Sequence, residues 1–191
     1  EETDRIVMWY GGMKNVYRAE SRDGVVWSEP EVVFTNDSKG AWITVRVNPS
    51  PAPDGNDRYI MLVRNADGKE KWTEHYATTR LSGRIYKSAD GRKWTLSSRT
   101  GAMGDASTLS YNRFRNKWLI FARDNCSFST GRRVVRYFEC SDITSQAAYG
   151  LWQSVDWQRT DRLDIQDPKL KEAPQIYSVC SDSYESIQLG M

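Results

Sequence analysis

Asp105 and Glu185 each stand at the head of a short segment that reads as a strand, and neither has a cation beside it in sequence. Gly104 and Ala106 flank the first, Tyr184 and Ser186 the second. Two carboxylates brought together suit glycosidic-bond hydrolysis. One protonates the leaving oxygen while the other attacks the sugar or activates water, and their separation of about 5–5.5 Å or 6.5–9.5 Å sets retention or inversion. Arg123, Arg132, Arg133 and Arg136 lie between them in the chain. A planar guanidinium aimed inward orients a carboxylate or a sugar hydroxyl, so Arg123, Arg132 and Arg133 are candidate substrate-binding residues. Trp42 heads a third such segment and offers a stacking face. Asp164, in the acidic loop with Asp161 and Asp167, is a further candidate.

Other chemistries find little footing. Cys126, Cys140 and Cys180 show no CxxC spacing, so no metal site is expected. The acidic loop lacks the spacing and central Gly of a calcium-binding hand. His75 stands alone and reads as a surface or packing residue, and no cofactor is expected.

Positioning these residues falls to a repeated unit. Ile6-Val7-Met8-Trp9-Tyr10 is followed by Ser21-Arg22-Asp23-Gly24-Val25-Val26-Trp27. Tyr59-Ile60-Met61-Leu62-Val63 is followed by Ser88-Ala89-Asp90-Gly91-Arg92-Lys93-Trp94. Trp118-Leu119-Ile120-Phe121-Ala122, then Ser141-Asp142, is a looser third copy. The period, 53 and then 59 residues (6 to 59, 59 to 118), suits propeller blades. The apolar runs are short and turn-bounded, as strands are, yet they are apolar on both faces. With no amphipathic helix to cover them, sheets must stack on sheets. The expectation is an all-β fold, a β-propeller of four-stranded antiparallel blades.

Blade units fall at about 1–40, 41–100 and 101–160, with a further blade starting at 184–191. In the most complete unit the strands are 106–112, 117–123, 133–140 and 151–157. In the preceding one they are 41–48, 58–64, 85–88 and 94–97. The first unit lacks an inner strand, and 184–190 reads as a lone inner strand. Three blades do not close a ring of 4 to 8, so the chain reads as part of a propeller. Its open edges invite self-association. The Ser-x-Asp-Gly-x-x-Trp segments read as tight turns, with Asp23 and Asp90 as turn residues.

Composition narrows the partners. Lys plus Arg is 27 against 25 Asp plus Glu, a net charge of +2, too even for a nucleic-acid partner. No run reaches the roughly 18 apolar residues of a membrane span. Trp numbers 8 and Tyr 10, which fits both strand packing and sugar stacking. No targeting segment is legible at Glu1. Localisation is left open, with the periplasm or extracellular space preferred.

The stretch Gly104-Asp105-Ala106-Ser107-Thr108, with Tyr111 to Trp118, Arg123, Gly131-Arg132-Arg133 and Tyr184-Glu185-Ser186, resembles the five-bladed propeller proteins of the family 32-like glycosyl hydrolases. These are similar in fold to family 32 and family 43 glycosidases. The resemblance implies five blades in the full protein, a carbohydrate substrate and an axial site with carboxylates. It departs from the enzymes in lacking an Asn-Asp-Pro motif, and Asn125 follows Arg123-Asp124 where they carry Pro. Glu139-Cys140 matches their Glu-Cys acid only by coincidence, on a third strand. The resulting expectation is a glycosidase using Asp105 and Glu185, with a non-catalytic carbohydrate-binding propeller as the alternative.

Overall fold

The structure, a computed structural model, describes residues 4–11, 14–36, 42–64, 82–124, 133–150, 153–158 and 160–190. His75, Cys126 and Arg132 lie outside them. The fold is all-β, built from antiparallel sheets. β1 (Ile6–Gly11), β2 (Asn15–Ser21) and β3 (Glu31–Thr35) form a three-stranded meander. β4 (Ile43–Val47), β5 (Tyr59–Arg64), β6 (Ser82–Ser88) and β7 (Thr95–Ala102) form a four-stranded one. β8 (Thr108–Asn112), β9 (Lys117–Asp124), β10 (Val134–Cys140) and β11 (Val155–Gln158) form another, and β12 (Ser181–Tyr184) pairs with β13 (Ile187–Gly190).

The two-faced apolar runs are explained by what covers them. Ile60 and Leu62 of β5 face Leu109, Ile120 and Ala122 of the next sheet, in one core with Ile85, Met103 and Trp118. Met61 and Val63, alternating with them, turn the other way onto Val16 of the first sheet, flanked by Trp9, Phe34 and Tyr86. β9 repeats the arrangement. Its Leu119 and Phe121 pack on Val135, Val179 and Ile176, the last two from the segment leading into β12. Period-2 alternation sends successive side chains to opposite faces, so a run without polar residues needs a neighbour on both sides.

The Ser-x-Asp-Gly segments are turns. Asp23 Oδ1 accepts from Val25 N at 2.8 Å and Val26 N at 2.9 Å, and Asp90 Oδ1 from Arg92 N at 2.8 Å and Lys93 N at 2.9 Å. These backbone donors hold both carboxyls below the usual carboxylate range. The third copy uses Asp142 differently, to cap the four-residue helix α1 (Ile143–Gln146) between β10 and β11.

The C-terminal reading needs correction. Residues 184–190 are not one inner strand. Tyr184 ends β12, Ile187 begins β13, and the two pair across Glu185 and Ser186. Glu185 has φ +47°, the left-handed conformation a two-residue hairpin loop demands. β12 escaped notice because Ser181-Asp182-Ser183 carries no apolar signal.

β4, β8 and β12 stand side by side. Arg46 of β4 donates through Nε to Leu109 O at 2.9 Å, through Nη1 to Asp182 at 3.1 Å and through Nη2 to Ser181 O at 3.3 Å. Thr108 Oγ1 donates to Val179 O at 2.5 Å and Ser183 Oγ to Tyr111 O at 3.1 Å, so β12 runs alongside β8 in the same direction. Among the described residues, β1 and β13 are each paired on one side only. No helix among them is long and apolar enough to cross a membrane.

Candidate functional site

Asp105 sits in the turn entering β8, and the turn is held from several sides. Ala106 has φ +54°, a conformation costly for a residue with a Cβ. Ser107 Oγ donates to Gly104 O at 2.9 Å and accepts from Arg123 N at 3.0 Å, while Ser178 Oγ donates to Ala106 O at 2.8 Å. Gly104 N donates to Arg123 O at 2.6 Å. A Cβ on Gly104 would lie 2.8 Å from that oxygen and 3.0 Å from Arg123 Nε, so only glycine lets the turn lie against β9. The result places Asp105 beside the guanidinium of Arg123.

Arg123 is 7 % exposed and its Nη1 makes an ion pair with Asp105 Oδ1. Tyr177 OH donates to Asp105 Oδ2 at 3.1 Å. The Arg123 guanidinium carbon lies 4.6 Å from the Tyr177 ring centroid and that of Arg133 5.2 Å, both within the reach of cation–π attraction. Arg133 is fixed in turn by Gln175, whose Oε1 accepts from its N and Nη1, each at 3.2 Å.

Arg64 completes the group. It ends β5, and its pKa is pushed down by burial and by Arg123, against the opposing pull of Asp105 and Tyr177. Its Nε is buried with no hydrogen-bond partner among the described residues. Arg64 N donates to Trp42 O at 3.0 Å, extending the Ile43–Val63 register. Directly opposed residues share a sheet face, so Trp42 stands beside Arg64. Its side chain is open to solvent, the residue being 51 % exposed.

The structure therefore gathers Asp105, Arg123, Arg133, Arg64 and Tyr177, with Trp42 alongside. It does not bring Glu185 to them. Val179 lies beside Thr108 and Ser183 beside Tyr111 and Arg113, so the Glu185 turn is at the Arg113 end of β8, while Asp105 precedes its first residue. A five-residue strand at about 3.3 Å per residue sets them roughly 15 Å apart, beyond the spacing of a glycosidase carboxylate pair. Asp164 is turned into its own exposed loop, where Oδ2 accepts from Asp161 N at 2.8 Å. Arg136 is committed elsewhere, to Ser154 and to Asp156 at 2.6 Å. Glu139 lies on β10 and pairs with Arg115 at 2.6 Å, the structural place expected of it. Among the described residues no group of His, Cys, Asp and Glu could hold a metal ion.

Sequence reasoning missed Arg64 and Tyr177. The repeat itself points to Arg64. It follows Tyr59 by five residues just as Arg123 follows Trp118 by five, so one strand end carries arginine in two units. Tyr177 was hidden by the misplaced start of the last strand.

No family model matches the sequence, and no curated protein does. The likeness to family 32-like glycosyl hydrolases rests on the quoted motifs alone.

Proposed function

We propose that the chain is part of a β-propeller whose axial face binds carbohydrate, at the end where β4 and β8 begin and β5 and β9 finish. The radial arrangement is supported by β4, β8 and β12, adjacent strands each leading an antiparallel sheet or hairpin of its own. Inner strands of a propeller crowd about an axis in this way.

The observation that carries the function is the Asp105–Arg123–Tyr177 constellation beside an exposed tryptophan. Carboxylate, guanidinium and phenol groups in fixed positions bond sugar hydroxyls, and an indole face covers the apolar face of a pyranose. Few convergent polar groups with an aromatic wall are the usual make-up of a small-ligand site.

Hydrolysis is the second reading, favoured by one feature. Ala106 holds a costly backbone conformation immediately after Asp105, and such strain collects at active sites. Asp105 would then be one of two acids, with its partner outside the cluster seen here. The Asp105–Glu185 pair is not part of this proposal.

Screening the chain against a panel of oligosaccharides, by calorimetry and by release of reducing ends, tests both. Binding that Trp42→Ala weakens at least ten-fold is expected. Reducing ends released by the parent and not by Asp105→Asn would add hydrolysis. No saccharide bound by the folded chain would overturn the proposal.

A further inference from the structure

The charges around Asp105 do not balance. Arg64, Arg123 and Arg133 bring three cations to a single carboxylate, and both oxygens of that carboxylate are engaged, one by Arg123 and the other by Tyr177. Among the described residues Arg133 donates to the neutral amide oxygen of Gln175 and lies over the Tyr177 ring, and its Nε is buried with no hydrogen-bond partner. Arg64 Nε is in the same state. Burial disfavours the Arg64 charge, yet a guanidinium stays protonated at any ordinary pH. Arg64 and Arg133 are thus held partly out of water and make no ion pair among the described residues, Arg64 feeling only the Asp105 charge that Arg123 already holds. Such an arrangement is unfavourable until an anion arrives.

We propose that the carbohydrate taken by this site carries an anionic substituent, a carboxylate or a sulfate ester, seated on Arg64 and Arg133 while Trp42 covers the sugar ring. The inference rests on the carbohydrate reading and deepens it. Guanidinium groups bind both anions through paired N–H donors, and Arg123 cannot take this role while it holds Asp105. Tyr177 contributes its ring as the common floor under Arg123 and Arg133, and its hydroxyl keeps Asp105 turned away from the incoming charge.

The test is calorimetric titration of the chain with three probes at low and at physiological salt: a galacturonate oligosaccharide, a sulfated galactose oligosaccharide and the neutral galactose oligosaccharide. One of the two acidic probes is expected to bind at least ten-fold more tightly than the neutral one, with a preference that shrinks as salt screens the charges. Which acidic probe wins separates carboxylate from sulfate. Arg64→Gln is expected to remove most of that preference while circular dichroism stays unchanged. Should that variant misfold, Arg133→Gln, at the edge of β10, asks the same question. Equal affinity for neutral and acidic probes, with Trp42→Ala weakening both, would overturn the anionic inference and leave the carbohydrate reading standing. An acidic preference untouched by both arginine variants would also overturn it. No binding of any probe would bring down both.

Discussion

Two charge clusters in this chain, one at the surface and one partly buried, show how the same residue types do different work. Glu20 lies between Arg5, Arg18 and Arg92, at 2.6, 2.6 and 2.9 Å, beside a cleft of about 670 Å³. Each of those arginines bonds the carboxylate directly, and hydrogen bonds from Arg5 and then Arg18 lower its pKa from 4.5 to about 2. In the Asp105 cluster, by contrast, Arg64 and Arg133 each keep a buried Nε with no hydrogen-bond partner among the described residues. Because the folded pKa of Glu20 is depressed, its contribution to stability is present above about pH 4.5 and is lost as pH falls towards 2. Thermal melts between pH 6 and 2 are therefore expected to show Tm dropping through this window, and Glu20→Gln to flatten the drop. A variant melting in parallel with the parent would show that Glu20 is not coupled to folding. At this scale the sequence was partly legible. Asp105 and Arg123 stood out because nothing local explained them, whereas Glu185 looked equally unexplained and proved to be a hairpin residue. A carboxylate's isolation in sequence marks it as unpaired locally and says nothing about where the strand register carries it.

Strands were more legible than sites, because alternation is written into neighbouring residues while convergence is not. The runs at Ile6, Tyr59 and Trp118 fall on β1, β5 and β9, and the partners expected at 85–88 and 133–140 fall on β6 and β10. What failed was β12, whose Ser183 donates through its side chain to Tyr111 O of β8 and which needed no apolar face. α1 was also unforeseen, since a four-residue helix is shorter than the periodicity that reveals one. The two-sided burial of β9 makes a sharp prediction. Leu119 and Ile120 are adjacent, point to opposite faces and are both fully buried in different cores. Leu119→Ala and Ile120→Ala should each cost about 2–5 kcal/mol in urea denaturation. A sheet with one solvated face would lose stability from only one of the two. Between sheets, Trp9 Nε1 donates to Gly91 O at 2.9 Å, and a Cβ at Gly91 would fall 2.5 Å from the indole. The turn of the second repeat is thus keyed to the second-strand tryptophan of the first.

At the scale of the whole molecule, successive antiparallel sheets follow one another along the chain, and Arg46 ties β4 to β8 and β12. Arg64 and Arg123 occupy the same place in successive units, so repetition alone delivers two guanidiniums to the same strand end. In the proposed function, Asp105, Trp42 and Tyr177 are the particular residues that turn a repeated strand end into a recognition site. The proposed function belongs to this end and not to the other, where the Glu185 turn lies. The most direct measurement is the affinity of the neutral galactose oligosaccharide for three proteins: the parent, Asp105→Asn and Glu185→Gln. For this neutral probe, Asp105→Asn is expected to lose at least ten-fold, because the carboxylate that holds Arg123 and Tyr177 in place is gone, while Glu185→Gln binds as the parent does. Loss of binding in Glu185→Gln with Asp105→Asn unaffected would put the site at the wrong end of the strands and contradict the account.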